Sequence, residues 1–190
     1  MHRLRERYIK LLLKLASSKR SAFFKAVALA TDGLVYLVAV PWILFRLAAM
    51  ADRWIPLCWP SLLESTLSIL GLFVGFFWIG WSVWTQLALG KGTPNFSAPP
   101  RRLIVEGPFR LCRNPLQFGV MLYYLGLGAL VRNTTVGLTA FLAALIAGSL
   151  YHRYVEEEEL KRRFGEEYET YRKRTPFLIP RWRRVIGKAH

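Results

Sequence analysis

Four apolar segments, each near the length that crosses the hydrocarbon core of a bilayer, constrain this chain more than any other feature. They run approximately from Ala26 to Ala49, Ser65 to Leu87, Leu116 to Val131 and Thr134 to Tyr151. The third is short for a span of roughly 20 residues, which implies flanking polar residues or local thinning of the bilayer. Only Arg132 and Asn133 separate the last two segments, so these predict a tight antiparallel hairpin with its far ends side by side. The predicted fold is all-α: a multi-pass membrane helical bundle of about four transmembrane helices, with a C-terminal helical hairpin and cytoplasmic amphipathic helices.

Charge supplies the orientation. The chain carries 27 Lys and Arg against 12 Asp and Glu. Such an excess suits nucleic acid when the cations line one soluble domain. Here they flank apolar runs, so no nucleic-acid partner is expected. Eight cations precede the first span, five lie between the second and third, and eleven follow from Arg153 onward. The positive-inside rule then places both termini and the 90–115 loop in the cytoplasm. That topology puts Cys58 and Cys112 on opposite sides, so they form no intramolecular disulfide. His2, His152 and His190 lack ligand spacing with one another or with the cysteines, and no metal site is expected. Phosphate-loop, dinucleotide and serine-hydrolase motifs are also missing.

Three regions follow. Residues 1–25 form a basic amphipathic segment, too broken by lysines to be a secretory signal, and are expected to lie on an anionic membrane face. Residues 26–89 hold transmembrane helices 1 and 2, where Gly71 and Gly75 suit close helix packing and Asp32 reads as a water-touched residue near the interface. Residues 90–190 hold a loop, the hairpin and a charged tail. The loop GKGTPNFSAPPRRLIVEGPFRLCRNP is punctuated by glycine and proline. Rigid irregular backbone beside a membrane lines a polar site or is buried in protein. Within it, Gly107-Pro108 predicts a turn, and Pro115 suits the first turn of a helix.

The tail YVEEEELKRRFGEEYETYRKR is helical by propensity. Its charges are spaced to pair Glu157 with Lys161, Glu158 with Arg162, Glu159 with Arg163 and Glu169 with Lys173. Gly165 should break or bend it, and Thr175, Pro176 and Pro180 should end it. Glu156 stands outside this ladder, because its i+4 neighbour is Leu160. With Glu157 and Arg153 it leaves the last span at a depth where charges need a polar cavity or a partner. The hairpin should therefore bring Arg113, Asn114, Glu156 and Glu157 together.

LIVEGPFRLCRNPLQFG, then a hairpin, then EEEELKRRFGEEYETYRKRTPFLIPR resembles the integral-membrane methyltransferase superfamily. That superfamily includes isoprenylcysteine carboxyl methyltransferases and phosphatidylethanolamine N-methyltransferases, and the likeness covers roughly residues 90–182. It implies methyl transfer from S-adenosylmethionine to a lipophilic acceptor, either a prenylcysteine-like carboxylate or a phospholipid amine. It also implies membrane lipids as partners. The cofactor pocket implied uses Leu103, Ile104 and Gly107, the Arg113-Asn114-Pro115 turn, and Glu156 with Glu157. Arg153 and Glu157 are the implied catalytic pair, although Arg153 is one residue out of register, about 100° on a helix. The sequence departs from the family pattern in three places. Asn114 stands where the prenylcysteine branch has His, and Gln117 and Phe109 each replace a Tyr. Two other readings stay open: an intramembrane NADPH-dependent sterol-type reductase, and a non-catalytic membrane adaptor with basic tails.

Overall fold

The computed structural model describes residues 2–17, 21–53, 59–90, 93–94 and 99–181, and among them there is no strand. Among the described residues seven α-helices follow in order: α1 (His2–Ser17), α2 (Ala22–Leu34), α3 (Val40–Asp52), α4 (Ser61–Gly90), α5 (Pro115–Val131), α6 (Thr134–Tyr151) and α7 (Glu157–Arg174). A π-helical turn at Val35–Ala39 joins α2 to α3, and a second at His152–Glu156 joins α6 to α7. Among the described residues three helical stretches are long and apolar enough to cross a membrane: Ala22–Met50, Ser61–Gly90 and Thr134–Arg174. The shorter apolar α5, at 17 residues, completes the bundle. Cys58, Gly92 and His190 lie outside the described residues.

The spans start where local chemistry dictates. The Ser21 hydroxyl accepts from Phe24 N–H and caps α2, satisfying one of the donors that a helix start leaves orphaned. Pro115 opens α5, where a missing N–H costs nothing. Asn133 caps α6 by accepting from Val136 N–H at 2.9 Å. The π-helical turn in the first span loosens its backbone pairing within an apolar setting. Hydroxyls from α5 cover it: Tyr124 donates to the Tyr36 carbonyl and Tyr123 to the Leu37 carbonyl.

Glycine sets how closely the helices approach. A Cβ on Gly71 of α4 would lie 2.7 Å from the Gly126 Cα of α5, and one on Gly119 would lie 2.8 Å from the Ile79 nitrogen. The small-residue pair at Gly71 and Gly75 is therefore a packing seam, as the spacing suggested. Trp78 stacks edge-on against Phe118 at 5.2 Å just beyond it. α5 and α6 touch as closely at Gly128 and Gly137.

Several expectations change. The fourth span does not stop at Tyr151, because no glycine or proline intervenes and the next residue, His152, keeps helical angles (φ −61°, ψ −43°). The tail is a continuation of that span. Two of the four predicted ion pairs form, Glu158–Arg162 and Glu159–Arg163. The other two do not: Glu157 turns to Arg113 and Arg172, while Lys161 and Arg172 both reach Glu169. Gly165 is the reason. Its φ of 53° and ψ of −126° break the helix, as its sequence position suggested. A straight helix would separate Glu157 and Arg172 by roughly 22 Å, yet their side chains stand 3.5 Å apart. The second half of α7 thus folds back. The N-terminal helix α1 is also docked on protein: Ile9 and Leu12 are fully buried, and Glu6 takes two hydrogen bonds from Arg162.

Candidate functional site

The loop, α7 and the segment after it converge on the open end of the α5–α6 hairpin. The loop is tied first to α4. Arg101 N–H and Arg102 Nε donate to the Gly90 and Leu89 carbonyls at the end of that helix, where a cation also suits the helix dipole. Ile104 is buried and packs where a Cβ on Gly90 would go. Leu103 is half-buried beside it. Gly107 has φ +57°, and a Cβ there would stand 3.0 Å from the Thr85 hydroxyl. Both conditions select glycine, and Pro108 then opens a 3₁₀ turn, Gly107–Arg110.

The end of the chain closes over this loop. Arg113 N–H donates to the Pro176 carbonyl at 2.9 Å and Arg181 N–H to the Leu111 carbonyl at 3.1 Å. The Asn114 amide donates to the Phe177 carbonyl at 2.9 Å, and the Tyr171 hydroxyl donates to the Phe109 carbonyl at 2.6 Å. Arg163 bridges the same parts, pairing with Glu159 and donating to the Pro100 carbonyl. Burial pushes the Cys112 thiol up to about 12, opposed in part by a backbone hydrogen bond from Asn114. It is an inert core residue.

At the centre is an ion pair. Arg113 Nη1 stands 2.8 Å from Glu157 Oε1, and each side chain keeps only 12% exposure. Its angles satisfy no hydrogen bond, so both atoms, together with Arg113 Nε, are buried without a hydrogen-bond partner among the described residues. Buried polar groups are nearly always satisfied in native structures, which makes this cluster a place where ligand groups would complete the bonding. Tyr168, buried, flanks it close to Arg113 and Glu157. The Phe177 ring lies against two guanidinium groups, 5.5 Å from Arg113 and 5.9 Å from Arg153.

The residues singled out from sequence separate into groups. Arg113 and Glu157 meet directly, and Arg153 joins them through Phe177. Asn114 spends its amide on the folded-back tail. Pro115 is buried at the helix start. Glu156 does not join the Arg113 pair but pairs with His152 Nδ1. Sequence reasoning missed Tyr168, Tyr171, Arg172 and Phe177. The i, i+3 tyrosines and the apolar stretch after Pro176 were the available signals. A separate cavity of about 370 Å³ lies at the opposite end, lined by Ser61, Glu64, Ser65, Ser68 and Arg132 among others. Glu64 is already bonded there to Thr134 N–H. Among the described residues no group of three or more His, Cys, Asp or Glu could hold a metal ion.

Apolar spans and a polar site at one end of a helical hairpin define an integral membrane protein. The phospholipid methyltransferase family model matches residues 63–167, more than half of the chain, and the chain belongs to that family. It is 34% identical over 157 residues to the cobalt-zinc-cadmium resistance protein CzcN of Cupriavidus metallidurans, covering 82% of this chain. It is 33% identical over 81 residues, 42% of this chain, to the nickel-cobalt-cadmium resistance protein NccN of Alcaligenes xylosoxydans xylosoxydans. The matches span 66% and 36% of those relatives' own lengths.

Proposed function

We propose that this protein moves a methyl group from S-adenosylmethionine to a lipophilic acceptor, with both termini and the 90–115 loop in the cytoplasm. The buried Arg113–Glu157 pair carries the reading. Its opposite charges, 2.8 Å apart, with Arg113 Nε left without a hydrogen-bond partner among the described residues, fit a ligand that offers a carboxylate, an ammonium and hydroxyls together. Arg113 would hold the carboxylate, since guanidinium donors match carboxylate geometry. Glu157 would take the ammonium or a hydroxyl. The Leu103, Ile104 and Gly107 backbone would line the pocket, while Asn114 and Pro115 keep Arg113 aimed into it. When bound, the cofactor supplies a methyl group on a sulfonium, an electrophile attacked in line.

The chain's own task is then positioning and shielding. Loop and tail close one side, and the apolar hairpin excludes water, which strengthens every charge interaction inside. Arg153, held against Phe177, stands where a polar acceptor group arriving from the bilayer would meet it. Glu157 is the catalytic carboxylate of this scheme, orienting the reactants. Isothermal titration of the detergent-purified protein with S-adenosylhomocysteine tests it. Saturable binding that Glu157→Gln weakens at least tenfold is expected. No binding overturns the proposal, and binding of NADPH in its place supports the reductase.

A further inference from the structure

We infer that His152 and Glu156 form a proton-accepting pair, in which His152 Nε2 takes a proton from the methyl acceptor before its nucleophilic atom is methylated. This rests on the methyl-transfer reading and deepens it by adding the base and the kind of acceptor that needs one.

The geometry starts at the π-helical turn His152–Glu156. Single π-helical turns inside longer helices recur at functional sites. The Glu156 Oε2 lies against His152 Nδ1. A carboxylate at that nitrogen makes it the N–H donor, so the neutral ring carries its lone pair on Nε2. Among the described residues Nε2 has no hydrogen-bond partner, and the imidazole keeps 20% exposure. The ring is thus tethered at one nitrogen and open at the other.

Its place in the fold matters as much. Ala144 and Gly148 of α6 and His152 just beyond it recur at four-residue intervals along one side of the continuous helix. On the membrane side, Gln117 of α5 donates to the Ala144 carbonyl at 2.7 Å and fills the space where a Cβ on Gly148 would go. On the other side, Glu157 follows the π-helical turn and pairs with Arg113. His152 therefore lies along the helix between the Gln117 contact and the Glu157–Arg113 pair, where an acceptor moving from the bilayer to the candidate cofactor site would pass it. Around the pair stand Glu157, Glu159 and Arg163 of α7, Tyr168 and Tyr171 from its folded-back half, Tyr151 edge-on to the imidazole at 5.7 Å, and Tyr8 of α1 beside Tyr151.

The chemistry that needs such a base is specific. A carboxylate acceptor is already a nucleophile. A lipid amine arrives as R–NH3+ and must lose a proton. His152 Nε2 removes it, leaving R–NH2 and an imidazolium that Glu156 stabilises. The nitrogen lone pair then forms the N–C bond as the S–C bond breaks, its electrons staying on sulfur as a thioether. The imidazolium finally releases its proton to water.

The test uses purified full-length protein in phosphatidylglycerol vesicles with labelled methyl donor and two probes, dodecylamine and a prenylated N-acetylcysteine. The expected result is methylation of dodecylamine with a rate that climbs on an acidic limb as pH rises. His152→Gln should lower kcat about a hundredfold, a typical contribution of a general base, while S-adenosylhomocysteine affinity stays within about twofold. Glu156→Gln should move the limb to lower pH, because the imidazolium loses its carboxylate. Nitrogen NMR on histidine-labelled protein should show the Nδ1–H tautomer at His152. Methylation of the carboxylate probe alone, or of neither probe by protein that binds S-adenosylhomocysteine, overturns the inference. So does His152→Gln with an unchanged kcat and limb, or with cofactor affinity lost in step. Where His152→Gln does not fold, an unmoved limb in Glu156→Gln overturns it. Failure of the wild type to bind S-adenosylhomocysteine instead contradicts the methyl-transfer reading itself.

Discussion

Single residues in the 107–119 stretch have separate jobs that their one-letter codes only partly disclose. Cys112 sits between two arginines in sequence, which suggests an activated thiol, yet it is fully buried and its thiol is pushed from 9.0 to about 12. The thiolate is the reactive form, and at pH 8 such a shift removes it about a thousandfold. In a Cys58→Ser background, iodoacetamide should label folded protein at least a hundredfold more slowly than denatured protein, with little acceleration until pH approaches 12. Fast labelling near pH 9 would show an ordinary thiol. Arg113 and Glu157 were legible because a two-residue hairpin connection forces their helix ends together. Asn114 was legible as a member of the turn but not as the clip on Phe177, since that partner lies 63 residues away. Glu156 was seen to leave the acid/base ladder, but the ladder was read only forward, to Leu160; its partner His152 stands four residues before it, at the same i, i+4 spacing.

Among the elements, α7 shows most clearly what a pattern can and cannot state. Its i, i+4 charges imply a straight ladder, and Gly165 was read as a bend of unspecified sense. The observed φ and ψ fold the second half back, so Arg172 reaches Glu157. Nothing lies within 4 Å of a Cβ built on Gly165, so the demand is purely conformational. Gly165→Ala should cost on the order of 1–3 kcal/mol of backbone strain. It should also weaken S-adenosylhomocysteine binding roughly tenfold, as measured by titration, by parting Arg172 from Glu157. Unaltered affinity would show that the fold-back does not shape the site. The π-helical turns escaped the sequence reading altogether. They hinge on which carbonyls find outside partners, such as the tyrosine hydroxyls on α5, and hydropathy does not encode that. The one-residue offset noted at Arg153 falls inside such a turn, where a helix absorbs an extra residue.

For the whole molecule, hydropathy and length carried the architecture: four apolar stretches became a bundle with the expected hairpin, differing mainly at the ends. Packing within a bilayer depends on small residues, because lipid tails are as apolar as leucine. Gly126→Val tests that seam. Its Cβ would stand 2.5 Å from the Leu72 nitrogen, backbone that cannot step aside, so a loss of about 1–3 kcal/mol should lower the thermal midpoint in detergent. Gly33→Ala, with nothing within 4 Å, should not lower it. The basic α1 shows the limit of charge patterning. Its composition suits a membrane face, while its docking, with Glu6 bonded to Arg162 of α7 and Ile9 and Leu12 buried, depends on a partner helix that patterning cannot specify. The central claim is that one end of this bundle joins a methyl donor to a lipophilic acceptor. Wild-type protein and Glu157→Gln, reconstituted in mixed lipid vesicles with radiolabelled S-adenosylmethionine, test it most directly. Label entering the organic extract with wild type, and falling at least tenfold with Glu157→Gln, is the predicted result. No transfer above protein-free vesicles by either, or equal transfer by both, would contradict the account.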